Sequence, residues 1–256
     1  MKTLMAFMKK EWMEQIRSSK LFILGIIFLA VGIMNPAIAK LTPWMMEMLA
    51  ESMEEAGLAV IEVKVDAMTS WTQFYKNVPM ALIAFILLQS NILTKEYQSG
   101  TLILALTKGL ERYKVVLAKT IVLVITWTVG YFLCYGVTYM YNAYFWENSI
   151  VSYLGMAAVY WWLFGIWVIV LMMLFSVMSN NNSGVLLGTG GVYFIVYLLS
   201  FIPKLKEFMP TELIGGMSLL MSVTEPGNYT KALVVLMITM VTCLIVCIPL
   251  FNKKRL

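Results

Sequence analysis

The segment from Thr94 to Lys119, TKEYQSGTLILALTKGLERYKVVLAK, decides the fold because it separates two long apolar runs. It carries seven charged residues, of which five are basic, and a leucine-rich run lies between Gly100 and Gly109. A charged segment between two apolar runs predicts a connection outside the membrane. We therefore interpret residues 94–119 as a cytoplasmic helical hairpin.

The remainder of the chain is too apolar for a soluble domain, since 61% of all residues are hydrophobic and only 13% are charged. A helix needs about 20 mainly apolar residues to cross the hydrocarbon core. Six stretches, none containing Asp, Glu, Lys or Arg, predict an all-α membrane protein with six transmembrane helices in a single domain, residues 1–256. The stretches are Leu21–Ala39, Val78–Leu93, Thr120–Tyr141, Ile150–Met178, Gly184–Ile202 and Ala232–Phe251. The second is short, so we expect it to begin inside the preceding polar segment.

Loop charges predict the orientation of these spans. With both termini in the cytoplasm, 13 of the 19 Lys and Arg residues and 4 of the 14 acidic residues lie inside. Cytoplasmic loops carry an excess of basic residues. We therefore expect a multi-pass protein of the cell membrane with both termini cytoplasmic. The net charge of +5 reflects this orientation and gives no reason to expect nucleic acid as a partner.

Residues 1–20, before the first span, have the pattern of an amphipathic helix. Apolar side chains recur every four residues at Leu4, Met8, Trp12 and Ile16. Basic residues occupy other faces, as expected of a helix that lies on membrane lipid in the inner headgroup layer. Two interpretations stay open: a simple juxtamembrane anchor, and an elbow helix that contacts a cytoplasmic partner through residues such as Trp12 and Arg17.

Two longer segments, residues 41–76 and residues 203–229, are predicted to lie outside the cell. The first opens with an acidic amphipathic stretch after Pro43, which either gates an exit or stabilises the ends of the spans. In the second, the apolar run Leu213–Val223 is too short to cross a bilayer. It predicts a short interfacial or re-entrant helix between the fifth and sixth spans.

Polar and small residues form two patterns inside the spans. The third span carries Tyr131, Tyr135 and Tyr139 at four-residue spacing, with Thr128 near the same stripe. Such a face either makes hydrogen bonds between helices or lines an amphipathic pathway. The fifth span begins with Gly184 and Gly188, a GxxxG pair that permits close helix packing or dimerisation.

Residue types exclude several kinds of chemistry. The chain has no His, which removes Ser-His catalysis and His metal sites, and we assign no catalytic or metal-binding residue. No GxxxxGK[ST] motif is present, so we expect no ATP site of that kind in this chain. The six stretches also lack the intramembrane ionisable residues that mark ion-coupled pumps.

The segment from Glu96 to Lys119 resembles the signature of type-2 ABC exporter permeases. Glu96, Gly100 and Thr101 form an E-x-x-x-G-T run, followed by a short leucine-rich helix, a turn, and an Arg and a Lys that enter the third span. The elbow helix and the short helices between the fifth and sixth spans fit the same topology. Many members have Pro in the turn where this chain has Lys108-Gly109.

The resemblance implies that residues 94–119 form a coupling helix that rests in a cleft of a separate ATP-binding subunit. ATP and Mg would bind in that partner, with no cofactor in this chain. Two ATPase subunits and a second permease, identical or related, would complete the assembly in a bacterial plasma membrane. The expected ATPase contacts are Glu96, Gly100, Thr101, Leu102, Leu104, Leu106, Gly109 and Arg112. The alternative is that these leucines pack on the permease's own helices.

By the same resemblance, the implied function is ATP-driven export. The 21 Met residues and many aromatics provide adaptable apolar surfaces. They favour amphipathic or hydrophobic cargo such as a membrane-active peptide or a drug, with lipid-linked polysaccharide or an ion as alternative cargo. A membrane-embedded enzyme and a non-transporting sensor or anchor are the alternative functions.

Overall fold

The computed structural model describes residues 2–55, 65–107 and 109–254, without the side chains of residues 2, 49–55 and 105. Within these ranges the chain forms eleven α-helices and three short 3-10 helices. The α-helices are α1 Lys2–Arg17, α2 Lys20–Glu55, α3 Ala67–Gln89, α4 Thr94–Ser99, α5 Thr101–Thr107, α6 Arg112–Phe145, α7 Leu154–Met178, α8 Asn182–Leu199, α9 Pro203–Lys206, α10 Gly216–Leu220 and α11 Thr230–Lys253. The 3-10 helices are Asn148–Ile150, Pro210–Ile214 and Pro226–Tyr229.

Six of these helices, α2, α3, α6, α7, α8 and α11, are long and apolar enough to cross a membrane. The prediction of an all-α protein with six transmembrane helices is therefore confirmed. Helix α2 has 36 residues and α6 has 34, which gives each a length of about 50 Å at 1.5 Å per residue. Both extend well beyond a hydrocarbon core of about 30 Å.

The second span is longer than its apolar run, as expected. Helix α3 begins at Ala67 because the carboxylate of Asp66 caps it, accepting a hydrogen bond from the backbone N–H of Thr69 at 3.0 Å. The predicted outer segment, residues 41–76, consequently includes the ends of two long helices. Lys76 lies inside α3 rather than in a loop. Residues 56–64 lie outside the described part of the chain.

Helix α7 lies at the centre of the bundle. It packs against α6, α8 and α11, and two thirds of its apolar stretch is buried. The core around it is aromatic, with Trp71, Phe74, Trp127 and Trp161 all buried. Gly165 of α7 lies against the indole of Trp127 with no space for a Cβ atom. The absence of a side chain there lets α6 and α7 approach closely.

The spans define two ends of the bundle. Helices α1, α4, α5 and the last turn of α11 share one end, which we call the basal face. The connection between α8 and α11 lies at the other end. The prediction of one continuous apolar helix at Leu213–Val223 is wrong in detail. The chain forms 3-10 helix Pro210–Ile214 and five-residue α10, and then turns at Ser222, whose φ is 54°. Leu213 and Leu219 are buried in the core.

Candidate functional site

A cluster of charged side chains joins three helices at the basal face, with Glu11, Glu96 and Lys119 buried and Lys10 and Glu14 partly exposed. The ammonium group of Lys119 on α6 donates to Glu11 Oε2 on α1 at 2.6 Å and lies 3.1 Å from Glu96 Oε2 on α4. Lys10 Nζ lies 2.6 Å from Glu96 Oε1 and 2.9 Å from Glu11 Oε1. Glu14 pairs with Lys10 at 3.0 Å. We call these five residues the basal charge network.

The local sequence of α1 explains why Glu11, its buried member of the network, faces the rest of the chain. Phe7, Glu11 and Gln15 recur at four-residue spacing and form the buried stripe of the helix. Gln15 exchanges hydrogen bonds of 3.0 Å with Gln89 at the end of α3. The stripe predicted from apolar periodicity is displaced from this one: Trp12 is half-buried, whereas Ile16 is exposed. Helix α1 therefore packs on its own chain through a mixed polar face.

The charges of the network are largely compensated: its two ammonium groups contact three carboxylates, and Lys95 lies 3.5 Å from the most exposed of these, Glu14. The side chains of Lys119, Glu11 and Glu96 are 1%, 3% and 7% exposed, and an unpaired charge at such a position is strongly destabilising. Burial opposes ionisation of Lys10, but hydrogen bonds and charges from Glu96 and Glu11 raise its pKa above its ordinary value. Burial likewise opposes ionisation of Glu14, and the neighbouring Lys10 lowers its pKa.

The same carboxylates are close enough together to be considered as metal ligands. One oxygen from each of Glu11, Glu14 and Glu96 lies within 4.8 Å of the others. However, Lys10 and Lys119 contact oxygens of all three groups. A cation would have to displace these ammonium groups, so the arrangement fits ion pairing between helices.

Arg112 and Lys254 make hydrogen bonds to the ends of two further helices, α11 and α7, at the basal face. Arg112 donates to the carbonyl oxygens of Phe251 and Lys254, where α11 ends. Lys254 in turn donates to the carbonyls of Val177 and Ser179, at the end of α7. Cations at helix C-termini satisfy carbonyl groups that have no partner within the helix and oppose the helix dipole.

The leucine-rich segment forms α5, and its side chains divide into two sets. Leu102 is 1% exposed and Leu106 is half-buried against the core. Leu104 is 64% exposed and its neighbour Ile103 is 44% exposed. Packing on the permease's own helices therefore accounts for part of the segment, and an outward apolar pair is left for another contact.

Glycines set the two bends of this segment. Gly100 has φ of 67° and separates α4 from α5, and Gly109 has φ of 85° in the turn before α6. Such left-handed conformations are strained for most other residues. Thr101 follows the first bend, where its hydroxyl lies 2.9 Å from that of Ser99. The roles of these residues in ATPase contacts stay predictions.

A cavity of about 210 Å³ opens beside α4 and α5 on the basal face. Its wall combines the outward side of α5 with charged and amide groups, and it reaches the turn between α7 and α8. The lining residues are Glu96, Tyr97, Gln98, Leu102, Ile103, Asn180 and Lys254. An apolar anchor from a partner, flanked by polar groups, fits such a wall.

The tyrosine stripe of α6 lies largely inside the chain. Tyr131 is fully buried and donates to the carbonyl of Ala158 at 2.9 Å. Tyr135 packs against Trp71, with ring centroids 5.1 Å apart, while Tyr139 is 45% exposed. Thr128 accepts a hydrogen bond of 3.0 Å from the indole of Trp162. These contacts are of the helix-packing kind, and a pathway-lining role stays a prediction.

Gly184 and Gly188, two of the four glycines of α8, contact side chains within the chain. A Cβ atom at Gly184 would overlap Ser179 in the α7–α8 turn, and one at Gly188 would overlap the ring of Phe175 on α7. The lack of a side chain at Gly188 therefore permits the close contact of α8 with α7. Whether the two glycines also contribute to a dimer interface stays a prediction.

Sequence reasoning missed the residues that complete the network. Lys119 was noted only as part of the family pattern, and neither Glu11 nor Lys10 was assigned a role. One signal was available for Glu11: together with Phe7 and Gln15 it interrupts the apolar periodicity of α1 with a second stripe at four-residue spacing. Arg17, proposed as an elbow contact, is exposed.

The sequence comparison agrees with this architecture. Residues 5–256 match a family model described as ABC-2 family transporter protein. No curated protein gives a significant match. The family match spans nearly the whole chain, from within α1 through residues 94–119 and all six spans, and it confirms the resemblance drawn from the sequence. The chain therefore belongs to the ABC-2 family of transporter proteins.

Proposed function

We propose that this protein is the membrane-spanning permease subunit of an ATP-driven ABC exporter, and that a separate ATP-binding subunit docks on α4 and α5 at the basal face. The observation that carries the proposal is the outward pair Ile103 and Leu104, of which Ile103 lines the cavity of about 210 Å³. Members of the family normally work with an ABC ATP-binding subunit. ATP and Mg would be held by that subunit.

The basal charge network links a movement of α4 to movements of α1 and α6. Glu96 follows two residues after the start of α4, and its carboxylate is paired with Lys10 of α1 and Lys119 of α6. A displacement of α4 by the docked subunit therefore has to move α1 and α6 with it, or separate buried charges at a cost of several kcal/mol. This argument supports an elbow role for α1 in addition to lipid contact.

We further propose a second permease copy, identical or related. Within the chain, only 11% of the apolar stretch of α8 and 17% of that of α11 are buried, whereas 67% of that of α7 is buried. Apolar side chains on spans are also satisfied by lipid, so exposure alone does not require a dimer. The small buried fraction of α8 and α11 supports a second copy that packs on these two helices.

Amphipathic or hydrophobic cargo remains the favoured class. A groove of about 450 Å³ between α3, α7 and α8 is lined mainly by apolar side chains, and its volume lies within the range of about 300–1,000 Å³ found for small-molecule sites. An ion or a bare sugar would find few polar groups there.

The docking proposal is tested by Leu104→Glu. We expect this variant to insert and unfold like the wild type, because Leu104 makes few contacts in its own chain, but to lose copurification of the ATP-binding subunit. Thr107→Glu adds the same charge at an exposed polar position of α5 and serves as the matched control, with a much smaller effect. Normal copurification of Leu104→Glu would contradict docking at this surface.

Export itself requires cargo-stimulated ATP hydrolysis and ATP-dependent flux by the assembled complex in liposomes. Stable assembly without such flux would instead favour the non-transporting anchor. Activity of the purified permease alone would favour the membrane-embedded enzyme.

A further inference from the structure

Lys76 occupies an unusual depth for a charged residue. It lies 13 residues before Gln89 in α3, and Gln89 is bonded to α1 at the basal face. At 1.5 Å per residue this places the Cα atom of Lys76 about 20 Å along the helix from that end. With Gln89 taken as the inner edge of a hydrocarbon core about 30 Å thick, Lys76 falls within the core, in its outer half.

The side chain of Lys76 faces away from its own bundle. Lys76, Met80, Ile83 and Leu87 are all exposed, and their spacing of three or four residues puts them on one side of α3. Within the described part of the chain, the ion pairs include none with Lys76. Intramembrane charges almost always face a protein interior or a water-filled cavity and are paired there.

The exposed stripe of α3 continues into the apolar groove. Ile83 and Leu87 form part of its wall, opposite Leu186 and Tyr193 of α8. Gly190 also borders the groove, and no atom lies within 4 Å of the position its Cβ would take. Lys76 does not itself line the groove, but it follows Tyr75, which does, and it lies two helical turns, about 10 Å, from Ile83 toward the outer end of α3.

This combination specifies the charge and shape of an occupant. The groove excludes a fully polar molecule, since burying polar groups without partners is costly. The ammonium group at its outer end attracts an anion and is itself stabilised by one. A molecule with an apolar tail along Ile83 and Leu87 and an anionic head at Lys76 satisfies both requirements.

We propose that the groove between α3 and α8 binds the cargo, that this cargo is an anionic amphiphile, and that Lys76 selects the charge of its head. The assignment rests on the proposed export function. It narrows the cargo from any amphipathic or hydrophobic molecule to those with a negative head group. Lys76 acts here as a specificity-determining residue at the mouth of the groove.

Equilibrium binding to the full-length permease tests the proposal without the ATPase subunit. The protein is placed in nanodiscs of phosphatidylcholine and titrated with pyrene-labelled dodecyl sulfonate and with pyrene-labelled dodecyl trimethylammonium. We expect the anion to bind about tenfold more tightly, which corresponds to about 1.4 kcal/mol. Lys76→Gln should abolish this preference and Lys76→Arg should retain it. Ile83→Trp, which fills the groove, should weaken binding of both probes.

Three results would overturn the proposal. Equal binding of the two probes would show that the head charge is not read. An unchanged preference in Lys76→Gln would mean that Lys76 only extends toward the outer headgroups, as long lysine side chains do. Unchanged binding of both probes to Ile83→Trp would place their site outside the groove. None of these results affects copurification with an ATP-binding subunit, which tests the proposed function separately.

Discussion

At the scale of single residues, the ammonium of Lys119 is held by charges from two other helices. It lies 1% exposed between two carboxylates that come from helices far apart in the sequence. Pairing of this kind is costly to assemble, because each charge loses water, and even more costly to leave incomplete. Residues of the basal charge network should therefore tolerate paired changes better than single ones.

Lys119→Met should destabilise the protein by about 3–5 kcal/mol, because it leaves Glu11 and Glu96 buried without one of their cations. Thermal unfolding in detergent measures the loss. Lys95→Met provides the matched control, since Lys95 is 59% exposed and 3.5 Å from Glu14, and exposed pairs contribute less than about 1 kcal/mol. The double variant Lys119→Met with Glu11→Gln should recover part of the loss. Equal stability of the two single variants would show that the network is not buried as described.

Charge reversal at Glu96 and at Arg112 tests two positions of the segment from Thr94 to Lys119. Glu96→Lys puts a third cation between Lys10 and Lys119, and Arg112→Glu puts an anion at the C-terminal end of α11, where it is unfavourable. Both variants should still insert but should show weakened assembly or weakened transport-linked ATPase activity. Insertion is followed by membrane fractionation, and coupling by ATP hydrolysis in liposomes. Wild-type coupling in both variants would argue against transmission through this segment.

At the scale of elements, small residues and short helices decide which contacts form. The coupling segment is divided by Gly100 and Gly109, so that α5 can bury Leu102 while presenting Leu104 outward. Gly188 of α8 leaves space for the ring of Phe175 on α7. Tyr193 also packs against Phe164 of α7, with ring centroids 6.1 Å apart, so the close approach at Gly188 is one of the contacts that set the position of α8.

Gly188→Ala should therefore displace α8 from α7. A new Cβ atom would overlap the ring of Phe175, and overpacking of this kind costs about 1–3 kcal/mol. Gly191→Ala is the matched control on the same helix, because no atom lies within 4 Å of its Cβ position. Cleavage by a protease at the α7–α8 turn, together with thermal unfolding, measures the difference. Similar behaviour of the two variants would contradict the proposed role of Gly188.

At the scale of the whole molecule, the basal face brings together parts of α1, α4, α6, α7 and α11. Salt bridges join the first three, and Arg112 and Lys254 add the ends of α11 and α7. Only α8 among the spans has no such tie within the described side-chain hydrogen bonds and ion pairs. A force on α4 would thus reach most of the bundle directly, and α8 through its packing on α7.

The orientation of the bundle is tested by cysteine labelling in intact cells. In a chain without its three native cysteines, Ser99→Cys on the basal face should react with a membrane-impermeant maleimide only after permeabilisation. Val223→Cys, at a position 73% exposed on the opposite end, should react in intact cells, because the basic loops are expected inside. The reverse pattern would place the coupling segment outside and remove the basis for docking of an ATPase.

By itself, the sequence determined the number and kind of spans, because the length of an apolar run is set by the thickness of the bilayer and can be read locally. It also determined the family, through the pattern from Glu96 to Lys119. The ends of the spans were less well predicted. Capping by Asp66 extends α3 through polar residues, among them Lys76, that composition assigns to a loop.

Only the tertiary structure decided which charges meet. Glu11 and Lys119 are 108 positions apart, and Lys10 and Glu96 are 86 apart, so no local periodicity relates them. The division of α5 into buried Leu102 and exposed Leu104 likewise depends on how α5 lies against the core. Pairing and burial arise from the packing of helices that are distant in sequence. Side chains of one type, such as the leucines of α5, can therefore lie either in the core or on an exposed surface.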